Sequence, residues 1–111
     1  MAPRIREELQ LLTIYMGERD KWRGRPLYAT IVETLKEEGI AGATVVRGVA
    51  GFGAHRHIHT ASILRLSEDL PLCIHVVDKP EKIAHAIDLV GPMVTEGLIV
   101  VKDIQALKYT H

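Results

Sequence analysis

The stretch PLCIHVVDKPEKIAHAIDLV, residues 71–90, decides the fold because it joins an apolar run directly to an amphipathic one. Its first eight residues are rich in apolar and β-branched side chains, which predicts a strand. Asp78, followed three residues later by Glu81, predicts a capping box, with Pro80 in the first helical turn. One apolar stripe then predicts a helix, formed by Ile83, Ala86, Ile87, Val90 and Val94.

A similar pattern occurs in the first half of the chain. Residues 9–17 predict a strand, and apolar residues at four-residue spacing then predict a helix, namely Leu27, Ile31 and Leu35. That helix begins near Pro26 and ends at Gly39, which is expected to be a left-handed cap. Residues 43–50, with a bulge at Gly48, and residues 98–107, after a cap at Gly97, predict the other two strands.

The order of these elements predicts the fold class. The predicted order is strand, helix, strand, a segment with no assigned element, strand, helix and strand. With right-handed crossovers, this order gives an α+β, ferredoxin-like βαββαβ split sandwich in one domain, residues 1–111. Both helices then lie on one face of the sheet. The strands nevertheless carry apolar residues on both faces, so the second face needs a partner. We therefore expect a homo-oligomer.

Composition and charge exclude several classes of function. Fourteen basic residues balance fourteen acidic ones, which argues against a general binder of nucleic acid or of anionic membranes. Cys73 is the only cysteine, so no internal disulfide can form, and we expect it to be a small buried residue. Neither a secretory signal nor a membrane-spanning run is present, which favours a cytoplasmic protein that is not membrane-inserted.

The segment GFGAHRHIHT, residues 51–60, is the first candidate site. Its glycines allow backbone amides to approach an anion closely. His55, His57 and His59 alternate, so in an extended segment all three would project to one side and could bind a metal. The residues alone leave a phosphate-binding loop, a metal site and a flexible turn open.

The sequence contains no motif that indicates an enzyme. Cys73 and His75 are two residues apart on one strand, but no oxyanion motif accompanies them. Carboxylate pairs, a Walker element and a Ser-His-Asp order are also missing. His75 is therefore expected to be a hydrogen-bonded core residue.

Three segments resemble the PII signalling proteins at matching places: EEGIAGATVVRGVAGFG, LPLCIHVVDKPEKIAHAIDLV and EGLIVV. GFGAHRHIHTASILRLSEDLP is more specifically similar to a group of small stand-alone PII-like proteins of unassigned function. The resemblance extends over about residues 9–109. It implies a cytoplasmic homotrimer that binds adenine nucleotides between subunits. It also implies signalling through a mobile loop, here about residues 51–66, to a protein partner such as a membrane transporter.

The resemblance also implies a set of nucleotide-binding residues. Gly42 and Thr44 correspond to positions that contact adenine and ribose, and Gly51, Phe52 and Gly53 correspond to the root of the loop.

Nearby cations extend this candidate site. Arg47, His55 and Arg56 could complete a small phosphate site beside the loop root. Lys21 and Arg23 belong to the segment ERDKWRGRP, which could contact phosphates or stack its tryptophan on a base, and could equally be a solvated connection.

This chain departs from the PII pattern where phosphates are held. Relative to PII proteins, this chain has one extra residue between Thr44 and Gly51. Leu98 replaces a PII lysine that holds phosphates, although the preceding glycine is kept as Gly97. PII proteins also have a C-terminal arginine pair that faces the phosphates, and this chain has Lys108 and Tyr109 near that place instead. Fewer cations predict AMP, ADP or cyclic AMP as ligand rather than tightly bound ATP.

Two other functions stay open at this point. A trimeric divalent-metal-binding module of the CutA type would share the fold and use the loop histidines. A structural adaptor would bind no ligand at all.

Overall fold

The computed structural model describes residues 4–51, 59–60 and 70–110, and within them four strands form one antiparallel sheet in the order β4–β7–β1–β8. The elements in chain order are β1 (Arg4–Gly17), β2 (Lys21–Trp22), β3 (Arg25–Pro26), α1 (Leu27–Glu37), β4 (Ala43–Arg47), β5 (Ala50–Gly51), β6 (His59–Thr60), β7 (Pro71–Asp78), α2 (Pro80–Val90), a 3-10 turn (Gly91–Met93) and β8 (Leu98–Tyr109). The principal elements β1, α1, β4, β7, α2 and β8 confirm the predicted ferredoxin-like βαββαβ fold.

Both helices pack on one face of the sheet and form the core with it. Strands β1 and β7 occupy the two central positions and turn alternate side chains towards the helices. The fully buried side chains of this core are Leu12, Ile14, Ile31, Leu35, Ile74, Val76, Ile83 and Val90. Each such burial stabilises the fold by about 1.5–3 kcal/mol relative to an exposed side chain. The predicted stripe of the first helix is confirmed. In the second helix Ile83, Ala86 and Val90 are buried as predicted, whereas Val94 lies beyond α2, which ends at Val90.

Strand β1 begins at Arg4, five residues before the predicted start. Its first residues pair with the end of β8, from Arg4 opposite Tyr109 to Leu9 opposite Ile104. β7 pairs with β1 only from Gln10 onwards, so this part of the sheet is a two-stranded ribbon. The predicted strand was too short because the ribbon residues are mostly polar and cover no core, so they lack the apolar pattern of a strand.

Asp78 does not cap helix α2, contrary to the predicted capping box. Lys79 is the residue before the first helical turn, and no side chain caps it. The Asp78 carboxylate instead accepts hydrogen bonds from the backbone N–H of Lys79 at 2.8 Å and of Ala41 at 2.9 Å. It therefore ties the segment before β4 to the end of β7.

Two predicted glycine caps have different outcomes. Gly39 follows α1 with φ of 77°, in the left-handed region, as expected. Gly97 does not have a positive φ, and α2 already ends at Val90 with Gly91 as its cap, so the predicted cap at Gly97 was wrong. A Cβ atom there would overlap the carbonyl oxygen of Tyr15 and lie 3.1 Å from Cγ1 of Val94. Glycine is required at this position by the close approach of β1.

We predict that Gly97→Ala destabilises the folded chain by about 1–3 kcal/mol, because β1 or the segment before β8 must move to admit the methyl group. Urea denaturation measures the change. Gly91→Ala is the matched control, since its backbone is helical and an added Cβ there meets nothing within 4 Å. Equal stabilities for the two variants would contradict this account of Gly97.

Candidate functional site

Three of the predicted site residues lie at one end of the sheet, where β1 stops and β7 starts. We call this the loop end. Arg47 is paired with Leu72 at the end of β4, and an added Cβ on Gly51 would lie 3.3 Å from Pro71. Gly97 packs on the backbone of Tyr15 at the same end.

Arg47 is held by an ion pair at the loop end. Its guanidinium Nη2 contacts Oε1 of Glu18, the residue directly after β1. The backbone N–H of Glu18 donates to the carbonyl of Leu70 at 2.8 Å, which fixes this carboxylate beside the start of β7. Because the Arg47 side chain is still 60% exposed, an anion from solvent can compete with Glu18 for it.

Gly51 lies at the base of a short stem. Strand β5 pairs with β6, with Ala50 opposite Thr60 and Gly51 opposite His59. Phe52, Gly53, His55 and Arg56 lie outside the described residues, as does His57. The anion-binding loop and the three-histidine metal site therefore stay predictions.

Gly42 and Thr44 do not share a surface with Arg47 in one copy of the chain. Thr44 is paired with His75, on the sheet face that the helices leave uncovered, whereas Arg47 is paired with buried Leu72 on the other face. Gly42 is exposed just before β4. A single copy brings only part of the predicted nucleotide-binding set together.

Lys21 and Arg23 belong to an ordered hairpin rather than to a plain solvated connection. Arg23 and Gly24 both have positive φ, of 50° and 80°, which is the requirement of a tight two-residue turn between β2 and β3. The guanidinium of Arg23 lies 5.1 Å from the ring centroid of Trp22, a cation–π contact. Trp22 packs against the core, so its ring is committed to the fold rather than presented for base stacking.

The uncovered sheet face, which we call the open face, is largely apolar. Cross-strand register places these residues on it: Leu9, Leu11, Tyr15, Val46, Cys73, Val77, Leu98, Val100 and Ile104. Several are well exposed, including Tyr15 at 44% and Leu98 at 59%. The predicted second apolar face is therefore confirmed.

A polar pair lies inside the open face. Thr13 is only 6% exposed, and its Oγ1 lies 3.1 Å from Nδ1 of His75 on the neighbouring strand. His75 is hydrogen-bonded, as predicted, but it is half-buried on the open face and does not belong to the core beneath the helices. Thr13 was missed because a threonine in an apolar strand is common and its partner is 62 residues away.

Cys73 is also half-buried on the open face rather than fully buried. Burial raises the pKa of its thiol above the ordinary value. Within the described residues of one copy, no three metal-ligating side chains come together.

Residues 9–106 match the family DUF190, described as Uncharacterized ACR. The chain belongs to the DUF190 family. A UPF0166 protein of Methanocaldococcus jannaschii is 38% identical over 100 residues, which covers 89% of this chain and 92% of that relative.

Solved structures show the same fold. CPII, a nitrogen regulatory PII-like protein from Thiomonas intermedia K12 bound to ADP, AMP and bicarbonate, superposes with a TM-score of 0.70 at 20% identity, over 92% of this chain and 91% of CPII. Divalent ion tolerance protein CutA1 from Ehrlichia chaffeensis superposes with a TM-score of 0.57 at 14% identity, over 86% of this chain and 80% of CutA1. The resemblance to the PII-like fold is thus confirmed.

Among the residues that the structure describes, neither helix has the length and apolar character needed to cross a membrane.

We predict slow alkylation of Cys73 by iodoacetamide, because a raised pKa leaves less of the reactive thiolate. At pH 8 the folded chain should react more slowly than the same chain unfolded in guanidinium chloride. The pH midpoint of the folded reaction should also lie higher. Since Cys73 is the only cysteine, mass spectrometry reports it directly. A folded rate equal to or above the unfolded rate would contradict the prediction.

Proposed function

We propose that this protein is a homotrimeric, PII-like regulator that binds a small adenine nucleotide in the clefts between its subunits. The observation that carries the proposal is the loop end of the sheet, where Arg47 and Gly51 lie beside the start of β7 and Gly97 lies beside the end of β1, on a fold that binds ADP and AMP in CPII. The function is signalling rather than catalysis. We place it in the cytoplasm.

The open face supports a site that is shared between copies. Apolar residues on this face favour burial against other copies of the chain. Thr44 lies on this face and Arg47 on the opposite one, so one copy cannot offer both to a single ligand. A cleft between two copies allows Gly42 and Thr44 of one to face the loop end of the next.

Charge at the loop end determines which ligand fits. Arg47 is a candidate phosphate-binding cation of the loop end, and its ion pair with Glu18 offsets its charge. Leu98 supplies no charge beside Gly97. A ligand with few phosphate charges, such as AMP, ADP or cyclic AMP, suits this site better than ATP.

Ligand binding is coupled to the loop of about residues 51–66. The phosphate draws Arg47 away from Glu18 and contacts the amides of Gly51, Phe52 and Gly53, which orders the root of the loop. The far end of the loop then contacts a protein partner, for which the PII resemblance implies a membrane transporter. Part of the binding free energy is spent on ordering the loop, so the affinity is modest.

We predict that Arg47→Met weakens AMP or ADP binding by about tenfold or more, since a charge-assisted hydrogen bond contributes about 1.5–3 kcal/mol. Glu18→Gln should strengthen it, because the competing carboxylate is lost. Isothermal titration calorimetry with AMP, ADP, ATP and cyclic AMP measures these changes.

Arg25→Met is the matched control for this experiment. Arg25 is also an exposed arginine in an ion pair, with Glu33 at 3.0 Å, and its loss should leave nucleotide affinity unchanged. Flat titrations with all four nucleotides would contradict the proposal. Equal losses in both arginine variants would contradict the role of Arg47.

A divalent-metal module of the CutA type is the second candidate, favoured by the fold shared with CutA1. It would use His55, His57 and His59. Their joint replacement by alanine separates the two candidates. Loss of metal binding with nucleotide binding intact would support the second, and the reverse result would support the first.

A further inference from the structure

His75 occupies the centre of the open face. β7 and β1 are the two central strands of the sheet, and the rung that crosses them here contains Thr44, His75, Thr13 and Val100 in sheet order. The neighbouring rung towards the loop end is apolar apart from the thiol and phenol, with Val46, Cys73, Tyr15 and Leu98. His75 is thus the one imidazole among the side chains that register assigns to this face within the described residues.

The hydrogen bond with Thr13 prepares one nitrogen of His75 for a ligand. Nδ1 lies 3.1 Å from the Thr13 hydroxyl, which is itself buried. In the tautomer in which Nδ1 donates to Thr13, the lone pair of the neutral ring is on Nε2, which has no hydrogen-bond partner in the described part of the chain. An imidazole oriented in this way through its other nitrogen is the usual arrangement of histidines that bind metals.

One imidazole cannot hold a metal ion by itself, and no other ligand completes a site within one copy. Cys73 is on the same face, two residues along β7, but it would add only one further ligand atom, and no third metal-ligating side chain joins the pair within the described residues. The additional ligands must therefore come from other copies.

In a cyclic trimer closed through the open faces, the centre of each face turns towards the symmetry axis. We propose that the three His75 imidazoles of such a trimer form one shared site on the axis for a divalent transition metal of the zinc class. Three neutral imidazoles and one open position are a competent zinc site. The inference rests on the homotrimer of the proposed function, and it uses none of its nucleotide-binding residues.

The surroundings favour such a site once the face is covered. Val46, Val100 and Tyr15 are neighbours of the Thr13–His75 pair on the open face, and other copies packed on this face would exclude water from it. Thr13 acts as a positioning residue, since it fixes the orientation of the imidazole without contacting the metal. The stoichiometry separates this site from the loop histidines: His75 gives one ion per three chains, and a loop site gives one ion per chain.

The test is a Zn²⁺ titration of the full chain by calorimetry, with sedimentation of the same samples and an AMP or ADP titration in parallel. We expect one Zn²⁺ per three chains. His75→Gln should abolish this binding. Thr13→Val should weaken it by about 10–100-fold, as expected when the group that orients a ligand is removed.

Three control variants make the result specific. Cys73→Ser lies on the same strand and face and should keep Zn²⁺ binding. His85→Gln removes a histidine on α2 that contacts Glu38, and should also keep it. Joint replacement of His55, His57 and His59 by alanine should leave the site of one ion per three chains unchanged.

The possible outcomes separate the shared metal site from the nucleotide site and from the trimer. These outcomes are read in the variant that lacks His55, His57 and His59. A trimer that binds no Zn²⁺ there, or whose binding survives His75→Gln, overturns this inference and leaves the nucleotide site standing. A stoichiometry of one ion per chain in that variant also overturns it. A monomeric chain overturns the shared site together with the proposed trimer. If His75→Gln does not fold, Thr13→Val decides, since unchanged Zn²⁺ affinity in that variant contradicts the proposed geometry.

Discussion

The sheet carries apolar side chains on both faces, whereas the two helices cover only one. Leu12, Ile14 and Ile74 on the covered face are fully buried. Tyr15, Val46 and Leu98 on the open face are about half exposed, and exposed apolar area of this extent is costly in water. Covering the open face with further copies of the chain removes this cost. The proposed assembly, ligand site and metal site all depend on that step.

The proposed association also explains why the candidate residues are distributed over two surfaces. Arg47 and Thr44 are three residues apart in β4 and therefore point to opposite faces. A site built from two copies can use both residues, and a ligand bound there contacts the assembly and the base of the loop together. In the proposed arrangement the nucleotide state, the loop and the trimer are coupled through Arg47, Glu18 and Gly51.

The sequence predicted those parts of the fold that depend on local patterns. The spacing of Leu27, Ile31 and Leu35 identified α1 because a helix repeats every 3.6 residues, and alternation in β1 revealed two apolar faces. The contacts on which the proposed function and the proposed metal site rest are not local. Arg47 meets Glu18 and Thr13 meets His75 only because the strand register places them side by side, and Asp78 binds a backbone amide from a distant segment rather than capping its own helix. Periodicity carries no information on such pairings.

The most direct test of the account is the mass of the native chain in solution, by sedimentation equilibrium at micromolar concentration. Burial of the open face by two further copies predicts a species of about three times the 12.4 kDa chain mass, with little dissociation on dilution. A single, well-behaved species of 12.4 kDa would show that the open face is stable in water, and would contradict the account.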